Sequence, residues 1–167
     1  FSYREIDQLG GYDPYSSSKS AAELAVSSWR SSFFDIQSSI RIATARAGNV
    51  IGGGDWAQDR IVPDLVRSLL DGIDLKVRNP NSVRPWQHVL EPLSGYILLA
   101  EKLASSENSS FQGAFNFGPE SKEYRTVGHL IEEAFKHWPG RWKELSEFEQ
   151  PYEASTLGLT IDKAKYH

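Results

Sequence analysis

Short strand-like runs alternate with stretches of helical periodicity along the whole chain, and that alternation narrows the fold more than any other feature. Residues 39–46 (Ser39-Ile40-Arg41-Ile42-Ala43-Thr44-Ala45-Arg46) read as a strand delivering into a glycine-rich loop, Ala47-Gly48-Asn49-Val50-Ile51-Gly52-Gly53-Gly54. Glycines at the end of a strand mark a place where backbone passes close to something else. Upstream, Asp13 as N-cap and Pro14 at the first helical position open a helix running to about Phe33, with Ala22, Leu24, Ala25, Val26 and Trp29 as its apolar face. Downstream, residues 61–70 predict an amphipathic helix, 75–78 a short strand, 79–81 a turn and 85–89 an extended segment. A helix over 90–104, a strand over 114–117 closed by Gly118-Pro119, and a helix capped by Thr126 and running to about Trp138 follow. The inner face of that last helix is Val127, Leu130, Ile131, Ala134 and Phe135; residues 142–145 form a strand candidate and 160–165 begin a helix. This is the α/β pattern. No internal repeat, low-complexity linker or convincing second-domain boundary interrupts it.

Composition removes several function classes. The chain has no cysteine, which excludes disulfides, thiolate catalysis and cysteine-ligated metal, and the four histidines (His88, His129, His137, His167) lack a ligand spacing, so no metal is expected. A net charge of −4 argues against binding nucleic acid or polyanions generally, and the longest apolar runs, such as 96–100, are far too short to span a bilayer. With 40% hydrophobic residues the chain can build a core of ordinary size. It begins at Phe1, contains no methionine and shows no signal peptide, so the expectation is a cytoplasmic fragment lacking an N-terminal portion.

The chemistry concentrates in a few places. Tyr15 and Lys19 stand four residues apart on the first helix, hence on one face. A fixed positive charge beside a phenol favours the phenolate, and a phenolate can take a proton from an alcohol. The bland alternative is a surface tyrosine beside a solvated lysine. Asn49, after a strand and a glycine, can simply brace a turn through its amide, and Arg60 can be an ordinary first-turn residue. Arg84, between Val83 and Pro85, can form a surface salt bridge, or offer a planar guanidinium to paired phosphate oxygens. Trp86 reads as core, and His88 as a pocket-lining or merely satisfied histidine. Ser16 to Ser18, Trp56, Glu132-Glu133, Glu5 and Asp7 acquire no catalytic role.

Taken in order, Tyr15-Ser16-Ser17-Ser18-Lys19, Arg46-Ala47-Gly48-Asn49-Val50-Ile51-Gly52, Arg84-Pro85-Trp86-Gln87-His88-Val89 and Phe115-Asn116-Phe117-Gly118 resemble the signatures of the extended short-chain dehydrogenase/reductases. Within that family, Gly52-Gly53-Gly54-Asp55-Trp56, Asp59-Arg60-Ile61-Val62-Pro63-Asp64 and the continuation Leu90-Glu91-Pro92-Leu93 are most similar to the CDP-glucose 4,6-dehydratases. The resemblance implies the C-terminal part of a Rossmann-like doubly wound parallel sheet plus a smaller α/β substrate-binding portion. Residues 1–50 would end the dinucleotide-binding domain, and 51–167 would mostly serve the substrate, with no sharp boundary.

It further implies NAD as cofactor, a CDP-sugar as substrate, and a lyase reaction giving a 4-keto-6-deoxy sugar. Tyr15 would accept the C4 hydroxyl proton, and Lys19 would assist it and bind the nicotinamide ribose. Asn49 would meet the diphosphate, Arg60, Ile61 and Val62 would lie along the nucleotide, and Arg84 would clamp the diphosphate, with His88 nearby. The family's Gly-x-x-Gly-x-x-Gly loop, its Ser/Thr partner to the tyrosine, and its dehydrating acid and base have no counterpart here. This fragment alone is therefore expected to be inactive. A nucleotide-sugar 4-epimerase and a non-catalytic sugar-nucleotide-binding module, or a truncated product without independent function, are the competing readings. A homodimer through the alanine-rich helix after Tyr15 is expected for the full-length protein.

Overall fold

A computed structural model describes residues 2–34, 38–105, 109–145 and 155–167. The elements in chain order are α1 (Pro14–Phe33), β1 (Ala43–Ala47), β2 (Val50–Ile51), α2 (Ile61–Asp71), β3 (Leu75–Val77), β4 (Val83–Arg84) and β5 (Gln87–His88). There follow α3 (Leu90–Ser105), β6 (Gly113–Phe117), β7 (Arg125–Thr126), α4 (Val127–Phe135), β8 (Trp142–Glu144) and α5 (Asp162–Tyr166). Among the described residues, three of the four strand pairs are parallel, and helices separate the paired strands, as the α/β pattern requires. The described residues fall into two compact units, one built from 2–47, 90–118 and 159–167, the other from 48–89 and 119–158.

In the first unit β1 and β6 pair in parallel from Ala43↔Gly113 to Ala47↔Phe117. The ladder starts at Ala43, not at Ser39, because its partner begins at Gly113, whose φ of 127° suits glycine alone. The outer edge of β6 is closed by side chains: Asn116 N donates to Glu5 Oε1 at 2.9 Å, and Lys163 Nζ donates to Ala114 O at 2.8 Å. Lys163 also lies 4.0 Å from the centroid of the buried Phe115 ring, and burial pulls its ammonium below the ordinary lysine range. Asn116, 1% exposed, ties the entering segment down by donating to Tyr3 O and Thr160 O. α3 approaches so closely at Gly95 that a methyl there would lie 2.4 Å from the Phe117 ring.

α1 starts as expected, with the Asp13 carboxylate accepting from Ser16 N at 2.9 Å and Pro14 in the first turn. Its packed face differs from the apolar one. Ser16, Ser20, Glu23, Val26 and Arg30 are half-buried, while Ala22, Leu24, Ala25 and Trp29 are exposed. On the packed face, Glu23 is bonded to Arg46 and Thr44 of β1.

The second unit has its core between α2, β3, α4 and β8. Leu65, Leu75, Val77 and Ile131 are buried there, with Ile61, Leu69, Val127, Phe135 and Trp142 packed around them. β3 pairs with β8 in parallel, β2 with β5 in parallel, and β4 with β7 antiparallel. Thr126 caps α4 by accepting from His129 N at 3.1 Å. That helix ends at Phe135, three residues short of expectation, because His137 N and Lys136 N turn back to the carbonyls three residues before them. Val50 and Ile51, expected within the glycine loop, instead form the short strand opposite Gln87 and His88.

Candidate active site

The candidate residues divide between the two units. In the first, Tyr15 and Lys19 sit on the first turns of α1, and the lysine Nζ lies 5.5 Å from the tyrosine ring centroid. The helix brings phenol and ammonium together as their spacing requires. Tyr15 is 67% exposed and Lys19 is exposed too, so the dyad is open to a ligand. The Asp13 carboxylate already occupies the amide end of α1 and is held below the ordinary carboxylate range by the Ser16 hydroxyl and amide. That end therefore repels a phosphate group.

In the second unit, Asn49 leads into β2 and its carbonyl accepts from Gln87 N at 2.9 Å, while Val89 N donates to Ile51 O at 2.8 Å. These bonds set the Asn49 loop beside the strand that carries His88, which is exposed. Gly48 is needed in this corner, since a methyl there would lie 2.6 Å from the Pro85 ring. Arg60 is the N-cap of α2, and no side chain caps that end. The first amides of α2 are those of Ile61 and Val62, and the exposed guanidinium of Arg60 approaches Asp55 at 3.8 Å. An uncapped helix end can receive an anion, although Asp64 in the first turn of α2 works against one here. Asp59, just before it, holds φ at 61°, uncommon for a residue with a side chain.

Arg84 is buried, 6% exposed, so it is not a surface residue. Its Nη1 donates to Val83 O at 2.9 Å, and its strand pairs with Arg125. Trp86 is half-buried and its indole N–H donates to Arg125 O at 3.2 Å. His129 and His137 are exposed, and no group of three or more histidine or acidic side chains suited to a metal occurs among the described residues. No described helix is long and apolar enough to cross a membrane.

One residue of consequence escapes the sequence reading. Glu23 Oε2 accepts from Arg46 Nη2 at 2.7 Å and from Thr44 Oγ1 at 2.8 Å. The Arg46 hydrogen bond holds its carboxyl below the ordinary range, against the opposing effect of burial. Its only sequence signal is its place, four residues beyond Lys19, in a stretch expected to be apolar.

Comparison with known proteins adds a family and a fold. The family model "NAD dependent epimerase/dehydratase family" matches residues 4–118. The chain is 47% identical to CDP-glucose 4,6-dehydratase of Salmonella typhimurium over 97% of its own length and 46% of that protein's. It thus spans about half the length of that relative. Among solved structures, dTDP-glucose 4,6-dehydratase of Bacillus anthracis in complex with NAD superposes with a TM-score of 0.79 at 18% identity, over 99% of this chain and 49% of the other. UDP-N-acetylglucosamine 4-epimerase of Methanobrevibacter ruminantium superposes at 0.75 with 20% identity, over 98% and 50%. At such identities the structural likeness establishes the fold, that of the Rossmann-type dehydratases and epimerases.

Proposed function

The chain belongs to the NAD dependent epimerase/dehydratase family, and from that premise we propose that it forms the tyrosine-bearing half of a nucleotide-sugar 4,6-dehydratase acting on CDP-glucose. The observation that carries the reading is the 47% identity over nearly the whole chain. The net reaction is loss of water from CDP-glucose to give CDP-4-keto-6-deoxyglucose.

Tyr15 takes the C4 hydroxyl proton at its phenolate oxygen, and the Lys19 ammonium, 5.5 Å from the ring centroid, attracts the negative charge that oxygen carries before the transfer. The exposed pair fits the nicotinamide ribose of NAD, whereas the carboxylate-capped end of α1 does not fit its pyrophosphate. When bound, NAD supplies the hydride acceptor and donor that such a reaction needs. Arg84 and Asn49 hold the substrate diphosphate, with His88 on the strand opposite Ile51, while Arg60, Ile61 and Val62 lie along the nucleotide. Pairing of two copies through α1 belongs to the same proposal, supported by the exposure of Leu24 and Trp29.

The test is mass analysis of CDP-glucose incubated with NAD and the full-length protein carrying this chain. A product lighter by one water supports the proposal. An isobaric product would make the protein a 4-epimerase, and tight binding without conversion would make it a binding module.

A further inference from the structure

Tyr15, Lys19 and Glu23 follow one another at four-residue spacing, so the three side chains climb one side of α1. Lys19 stands between a phenol one turn before it and a carboxylate one turn after. Lysine and glutamate four apart on a helix attract each other, so an unengaged Glu23 would compete with Tyr15 for the ammonium. The structure removes that competition. Glu23 Oε2 is bonded to both Arg46 Nη2 and Thr44 Oγ1, on β1. The paired side chains of Arg46 and Glu23 are only 23% and 19% exposed, which sets this contact apart from a loose surface ion pair. Arg30 also bears on Glu23, but more weakly.

We propose that Arg46 and Thr44 sequester the Glu23 carboxylate, so that Lys19 stays with Tyr15; Glu23, Arg46 and Thr44 are then positioning residues for the dyad. The inference rests on the reading that Tyr15 and Lys19 carry the chemistry. The rival account is a strap that merely fastens α1 to β1. The two differ in sign for one variant. A strap is weakened by loss of either partner, and losing both is no better. Under sequestration, loss of Arg46 alone is harmful because it frees the carboxylate, and neutralising that carboxylate repairs the harm.

The experiment measures kcat and KM for CDP-glucose in the full-length enzyme. Arg46→Met is expected to lower kcat roughly tenfold, part of the ~10²–10⁴ that general-base action supplies, with KM little changed. Arg46→Met with Glu23→Gln is expected to recover most of that loss, and Glu23→Gln alone to stay near the unmodified rate. Arg46→Lys is also expected to stay near it, since one terminal nitrogen makes the bond to Glu23. Should Arg46→Met fail to fold, Thr44→Val removes one of the two bonds on Oε2, and its smaller loss is expected to vanish with Glu23→Gln. Losses that Glu23→Gln does not relieve, or an equal loss in Glu23→Gln alone, would overturn the proposal. Tyr15→Phe serves as the control: full turnover in that variant would sink the dyad itself, while an inactive Tyr15→Phe with no rescue at Glu23 sinks only the sequestration.

Discussion

Replacing Asn116 by alanine tests how the entering segment of the first unit is anchored. The side chain is 1% exposed, and its Nδ2 donates to Tyr3 O at 3.1 Å and Thr160 O at 3.2 Å. The two acceptors do not suffer alike. Tyr3 O keeps a second bond, from Thr160 N at 2.9 Å, so it loses only the ~1 kcal/mol of one net hydrogen bond. Thr160 O receives no other hydrogen bond among the described residues, but Thr160 is half-buried, so it too loses about the ~1 kcal/mol of one net hydrogen bond. Asn116 Oδ1 is buried with no hydrogen-bond partner among the described residues, so its removal adds no loss. The expected cost is therefore about 1–3 kcal/mol, read as a lower urea midpoint at unchanged slope. Asn116→Asp is the sharper variant, because an ionised carboxylate faces two carbonyl oxygens with Glu5 bonded to the same residue's amide. Its penalty is expected to exceed that of alanine at neutral pH and to shrink as acid restores a donor. An alanine variant within about 0.5 kcal/mol of the unmodified protein would refute the anchor, since that is the spread of ordinary surface substitutions.

Three further outcomes follow from other contacts. Gly95→Ala is expected to lower Tm despite alanine's better helix propensity, because the added methyl meets the Phe117 ring at 2.4 Å and overpacking costs ~1–3 kcal/mol. Glu23 has its folded-state pKa depressed, so its contribution to stability is present above the unfolded carboxylate value and lost as pH falls through the lower folded one. Urea midpoints followed into acid are expected to drop less steeply for Glu23→Gln than for the unmodified protein. Arg84→Lys is expected to weaken CDP-glucose binding although charge is kept, since an ammonium lacks the two-point fork, with Arg84→Ala weaker still. Calorimetric titration with CDP-glucose and with NAD checks this, because equal losses for both ligands would make Arg84 a fold residue.

What could be read beforehand was local. α4 was legible because its cap, Thr126, and its inward positions all lie within a few turns, and Ile131 is indeed fully buried. The strand ending at Phe117 was legible for the same reason. The packed face of α1 was not, because it carries Glu23, whose partners lie on a strand some twenty residues away, while Trp29 packs on Phe33 and Phe34. Nor was the pairing of Val50-Ile51 with Gln87-His88, since two-residue strands carry almost no periodicity. The Tyr15–Lys19 face was legible from helix geometry alone. Glu23 was hidden, because its partner is visible only once β1 is placed under α1.

The central claim is that Tyr15 is the base of a CDP-glucose dehydratase, and Tyr15→Phe in the full-length protein tests it most directly. The phenyl ring keeps the packing of a residue already two-thirds exposed and removes only the oxygen that takes the proton. Turnover of CDP-glucose, followed by its loss of water, is expected to fall by ~10²–10⁴ while the calorimetric affinity for CDP-glucose stays within about twofold. Unchanged turnover in Tyr15→Phe would contradict the account.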